Sequence, residues 1–92
     1  RTASVSTTAT SIFSMGDYGV LLVVVGDNGG SGFQDVVLSG YGTTTVNVIS
    51  SMTAFGSPAA RTYSADGAGA LKLAMGSGTY NISAFCHQAG RY

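Results

Sequence analysis

Tyr18-Gly19-Val20-Leu21-Leu22-Val23-Val24-Val25, followed by Gly26-Asp27-Asn28-Gly29-Gly30, is the stretch on which the fold turns. The first part is aliphatic and rich in β-branched residues, and the second is a turn signal, so together they read as a strand entering a hairpin. Residues alternate across a strand. One face therefore carries Tyr18, Val20, Leu22 and Val24, and the other carries Gly19, Leu21, Val23 and Val25. Both faces are apolar, and both need cover. A small two-layer sandwich leaves the outer face of each sheet wet. The expectation is that a second copy of the chain covers this strand's other face. The competing reading is a central barrel strand packed under loops, or an edge tucked beneath the N-terminal segment. Left bare, such an uncharged run of high β-propensity is an aggregation hazard.

Working outward, turn signals recur at Gly16-Asp17, Gly40-Tyr41-Gly42, Gly56-Ser57-Pro58, Asp66-Gly67-Ala68-Gly69 and Gly76-Ser77-Gly78. A spacing of roughly ten residues between turns is the mark of an all-β sandwich or barrel. Period-two runs lie between them. Leu71, Leu73 and Met75 alternate with Ala70, Lys72 and Ala74; Tyr80, Ile82, Ala84 and Cys86 alternate with Asn81 and Ser83; Val46 and Val48 alternate with Thr45 and Asn47. Phe33 to Leu38 and Arg61 to Ala65 read as further strands. No window has helical spacing, and each glycine would cost a helix about 1 kcal/mol. Residues 1–11, nearly all Ser, Thr and Ala, read as a leader, linker or edge strand, with the β-sandwich domain proper over residues 12–92. The predicted fold is a small antiparallel β-sandwich or jelly-roll-like knob.

Composition narrows the function. Charged residues are only 9%, with Lys plus Arg 4 and Asp plus Glu 4, so the net charge is zero. Nucleic-acid binding needs a basic stripe, which this chain lacks. A hydrophobic content of 45% opposes disorder. The longest apolar run, Val20 to Val25, is far short of the ~18–20 residues of a membrane helix, so no membrane insertion is expected. A single cysteine, Cys86, forms neither an internal disulfide nor a metal-binding pair. The chain opens on Arg1, which suggests a product cut from a longer polypeptide. Scarce charge suits a surface hidden between subunits, because interface cores are depleted of charged residues.

Catalytic constellations are thin. His87 is the only histidine, and no Gly-x-Ser-x-Gly elbow exists. Cys86 and His87 are neighbours that a strand points to opposite faces, and Cys86 reads as a small buried hydrophobe. The carboxylates are Asp17, Asp27, Asp35 and Asp66, and three of them sit beside glycine in turns, where Asp hydrogen-bonds the backbone. The chain is expected to be no enzyme and to use no cofactor and no metal. Binding remains. Tyr18, Tyr41, Tyr63, Tyr80 and Tyr92 supply rigid amphipathic surface, and Gly, Ser and Asn supply adaptable hydrogen bonding. The loops over 27–32, 39–43 and 65–69 therefore nominate Asp27, Asn28, Ser31, Tyr41 and Asp66 as ligand-binding residues. The bland alternative is that the tyrosines pack across strands and the glycine loops only turn the chain.

The Ser/Thr/Ala-rich lead-in, the Tyr18–Val25 strand with its Asp27-Asn28-Gly29-Gly30 turn, and the run from Arg61-Thr62-Tyr63-Ser64 through Gly67-Ala68-Gly69-Ala70-Leu71 to Gly78-Thr79-Tyr80-Asn81-Ile82 together resemble the distal tip or knob of a bacteriophage tail fibre or tail needle. The likeness spans Ile12 onward. It implies a homotrimer of small β-domains on the virion tail tip, extracellular, that attaches to a bacterial surface polysaccharide or outer-membrane protein. The chain departs from that pattern in lacking a His-x-His pair and a triple-β-helix repeat, so neither axial metal nor stalk is carried over. Two other readings stand beside it. One is a virion structural or decoration protein, or another self-assembling surface subunit. The other is a carbohydrate-binding module, for which the customary Trp is missing.

Overall fold

The structure, a computed structural model, describes residues 3–15 and 18–91. Arg1, Thr2, the Gly16-Asp17 stretch, Tyr92 and the side chains of Tyr18 and of residues 88–91 lie outside the described residues. The chain is all-β: β1 (Ala3–Val5), β2 (Thr10–Ser14), β3 (Tyr18–Asp27), β4 (Gly32–Gly40), β5 (Asn47–Phe55), β6 (Arg61–Ala65), β7 (Ala70–Met75) and β8 (Tyr80–Arg91). They form two antiparallel sheets, one of five strands in the order β1-β8-β3-β4-β5 and one of three in the order β2-β7-β6. Strands β3, β4 and β5 form a meander. β8 then returns from the other sheet to lie beside β3, which makes β8-β3-β4-β5 a Greek-key arrangement. The pairs β1–β8 and β2–β7 carry the chain ends across both layers, and these are the jelly-roll-like features of the fold.

The core lies between the sheets and follows period-two patterning. β7 turns Leu71, Leu73 and Met75 inward, with Ala70, Lys72 and Ala74 on the outer side. They join Val20, Leu22 and Val24 of β3, Phe33 and Val37 of β4, and Tyr80 and Ile82 of β8 in one cluster. Burying each such side chain contributes about 1.5–3 kcal/mol. Gly26 is required by this packing. It is register partner to both Phe33 and Ile82, and a Cβ there would stand 2.6 Å from the Phe33 ring and from Ile82 Cδ1.

The N-terminal segment supplies edge strands to both sheets. β1 pairs with β8, β2 pairs with β7, and Val5 is fully buried in the core. The division after Ser11 falls inside β2.

Among the described residues, none covers the outer face of the larger sheet. Leu21 and Val23 are half-buried, held by neighbours within the sheet, and Val25, Leu38 and Phe85 are exposed. β5 is exposed along its whole length. The expected burial of Cys86 is corrected: Cys86 is exposed. Cys86 stands in register with Leu22 of β3, next to a bulge in which His87 is the extra residue.

Candidate functional site

The five residues nominated for binding fall into two groups at opposite ends of β4. A nine-residue strand is about 30 Å long, so no ligand of ordinary size spans both. At one end, the turn between β3 and β4 holds Asp27, Asn28 and Ser31. All three are engaged by the chain itself. The Asp27 carboxylate accepts from the Gly29 N–H at 3.2 Å, and Asn28 Oδ1 accepts from the N–H groups of Gly30 and Ser31 at 3.0 and 2.8 Å. Ser31 Oγ accepts from the Ser57 N–H at 2.9 Å and ties this turn to the loop after β5. Gly56 in that loop has φ +67°, and a Cβ there would collide with the Gly30 carbonyl, so only glycine closes it.

At the other end lie Tyr41 and Asp66. The Gly42 N–H donates to the Gly67 carbonyl at 3.2 Å and brings the β4–β5 loop against the β6–β7 turn. Asp66 caps its own turn by accepting from the Ala68 and Ala70 N–H groups at 2.8 and 3.1 Å, and those bonds hold its carboxyl below the usual range. Tyr41 is exposed and makes no hydrogen bond among the described residues. Beside its loop is an open groove of about 350 Å³ lined by Gly19, Leu38, Ser39, Thr43, Thr45 and Asn47. Its wall is fixed by Ser39 Oγ donating to the Thr45 carbonyl at 2.8 Å and the Thr45 N–H donating to Thr43 Oγ1 at 3.0 Å. The groove carries no charge, offers hydroxyls and one amide, and has Leu38 as its apolar wall.

The densest polar constellation is one the sequence reading did not single out. Asp35 on β4 is 1% exposed, between the two sheets. Arg61 of β6 grips it with two bonds, Nε to Oδ2 at 2.9 Å and Nη2 to Oδ1 at 2.8 Å. The Tyr63 hydroxyl donates to Oδ2 at 2.6 Å, and the Ser51 hydroxyl of β5 donates to Oδ1 at 2.7 Å. The guanidinium also donates to the Ala59 carbonyl and lies 4.2 Å from the centre of the Phe33 ring. Burial alone would raise the Asp35 pKa, but the donors from Arg61, Tyr63 and Ser51 outweigh it and hold the carboxyl below its ordinary range. Burial and the Asp35 carboxylate push the Tyr63 phenol far up. Every member is satisfied, and among the described residues no buried side-chain polar atom lacks a partner. This is a clamp joining the two sheets, and it offers no free acid, base or nucleophile. The available signal was small: Asp35 is the one carboxylate not beside a glycine, and it shares a strand face with Phe33 and Val37.

The remaining tyrosines divide the same way. Tyr63 belongs to the clamp. Tyr80 is buried, its hydroxyl accepts from the Ala59 N–H at 2.9 Å, and its ring meets Phe33 at 6.0 Å. Cys86 and His87 are both exposed on β8, and among the described residues no three His, Cys, Asp or Glu side chains gather around a point that a metal could occupy. No family model matches the chain, and neither the curated proteins nor the solved structures contain a significant match.

Proposed function

We propose that the chain works in multiple copies as a non-enzymatic attachment module, of the kind that ends a phage tail fibre or needle and holds to a bacterial surface polysaccharide or outer-membrane protein. The observation that carries the multicopy part is the apolar surface left open by the chain's own fold. Val25, Leu38 and Phe85 stand on the outer face of the larger sheet, and Val48, Ile49, Met52 and Phe55 stand on β5. The attachment part is supported by the open, uncharged groove beside Tyr41, where hydroxyls, an amide and an apolar wall meet, with Ser39 and Thr43 held in place by bonds to Thr45. Weak contacts at such a groove gain strength when copies are held together. The likeness to fibre tips carries an expectation of three copies.

The test has two arms. Mass measured in solution at micromolar concentration should exceed the 9.2 kDa of one chain; a folded monomer refutes the multicopy reading. Adsorption of the labelled protein to whole bacterial cells should be saturable, and Tyr41→Ala should weaken it about tenfold while leaving the fold intact, since a loop-tip side chain rarely contributes more than ~0.5 kcal/mol to stability. Unfolding of Tyr41→Ala would place that ring in the core and remove the attachment site.

A second reading, a virion decoration or other self-assembling surface subunit, is favoured by one observation: Asp27, Asn28, Ser31 and Asp66 are all spent on holding turns. Assembly without adsorption to any cell would select it.

A further inference from the structure

We infer that β5 is the strand through which one copy joins another, by antiparallel pairing of β5 with the β5 of a second copy. The inference rests on the multicopy reading and names its contact. Sequence patterning directs attention to the Val/Leu strand β3, but the largest apolar exposure lies elsewhere. Of the eight exposed large hydrophobics among the described residues, four, Val48, Ile49, Met52 and Phe55, are on β5, with Ile49 59% open. All nine residues of the strand are exposed, and among the described residues β4 is its only neighbour in the sheet. The edge opposite β4 therefore presents a row of unpaired backbone donors and acceptors.

Edges of this length are usually blunted by charge or proline. Asn47-Val48-Ile49-Ser50-Ser51-Met52-Thr53-Ala54-Phe55 has neither. Register shifts against β4 leave Ile49 and Ala54 as the extra residues of two bulges, which twist the strand near its ends, while Ser50 to Thr53 run in regular register between them. The open regular stretch is thus the centre of the strand.

The occupant follows from charge, size and symmetry. An uncharged strand offers nothing to an acidic or basic partner. Edge pairing covers the rim of the strand and leaves its two faces open, so the contact is smaller than the ~800 Å² per partner of a standard interface and is held by ladder hydrogen bonds. A second β5 matches in length and polarity. Antiparallel pairing centred on Ser51 sets Ile49 against Thr53 and Met52 against Ser50, and no like charges face each other. Such a contact is two-fold and closed, so it gives two copies and stands against the three that the likeness to fibre tips implies. It joins the two larger sheets edge to edge.

The experiment compares the wild-type chain with Ile49→Lys/Met52→Lys on β5 and with Phe85→Lys on the outer face, by mass in solution from 1 to 100 μM. The expected result is a dimer for wild type and for Phe85→Lys, and a folded 9.2 kDa monomer for the β5 variant. The alternate backbone amides of Ser50 to Thr53 that point away from β4 should also gain hydrogen-exchange protection in the wild-type protein as concentration rises, a readout that holds even if a variant fails to fold. A trimer, or a β5 variant that assembles like wild type, or central β5 amides whose protection ignores concentration, overturns β5 pairing and leaves the multicopy reading standing. A wild-type monomer at 100 μM overturns both.

Discussion

β3 and β5 lie in the same sheet, one strand apart, and both are rich in large apolar residues, yet their surroundings are opposite. β3 is central. β8 and β4 pair along its two sides, its inner residues Val20, Leu22 and Val24 are buried against the smaller sheet, and only its outer face is partly open. β5 is an edge with one neighbour, and every residue is exposed. The difference comes from sheet width. Five strands face three, so the smaller layer cannot roof the whole of the larger one. At the margin, apolar packing gives way to the Asp35–Arg61–Tyr63–Ser51 clamp, which closes the gap with hydrogen bonds where side-chain packing runs out.

The strongest test of this contrast is one charge placed on either face of β3. Leu22→Asp puts an unpaired carboxylate into the core and should abolish folding, because the burial cost of several kcal/mol is of the same order as the whole stability of a small domain. Val25→Asp, on the open outer face, should change stability by no more than about 1 kcal/mol. Circular dichroism and urea unfolding separate the two, and equal damage from both would show that the outer face is also sheltered.

The clamp comes next. Asp35→Ala strands the Arg61 guanidinium without its carboxylate and should cost about 3–5 kcal/mol in denaturant unfolding. A loss under 1 kcal/mol would mean that the smaller sheet holds to the larger without it.

The smallest expected effect is the pH dependence. The folded Asp35 carboxyl sits below its ordinary value, so its contribution is fully present at pH above the normal carboxylate range. It is lost as pH falls through the lowered folded value, since the unfolded chain then binds the proton more readily. Thermal melts of wild type should drop steeply below about pH 4, and Asp35→Asn, though less stable at neutral pH, should show a shallower fall. Parallel curves would assign the acid sensitivity to other groups.

Much of the fold was legible before any coordinates. β6 begins and ends where Arg61 to Ala65 suggested, and the inward set Leu71, Leu73 and Met75 follows from alternation alone. β5 was the least legible strand. Only its start, around Val48, showed period-two patterning. Two bulges break the alternation further on, and an edge with no buried face carries no hydrophobic signature to read. The candidate site was harder still. Asp27, Asn28, Ser31, Tyr41 and Asp66 looked like one set because loop composition has no address. Folding sent three to one end and two to the other, and most of them to turn duty.

Local chemistry in the chain was enough to decide the all-β class, the glycine-marked turns and the alternating core, because each depends on a few adjacent residues and the geometry of one strand. Which strand is central and which is the edge, where the five-stranded sheet outruns its partner, and how Asp35 meets Arg61 across 26 residues were decided only by tertiary pairing. Those outcomes depend on which distant segments compete for the same neighbour, and no local pattern contains that competition.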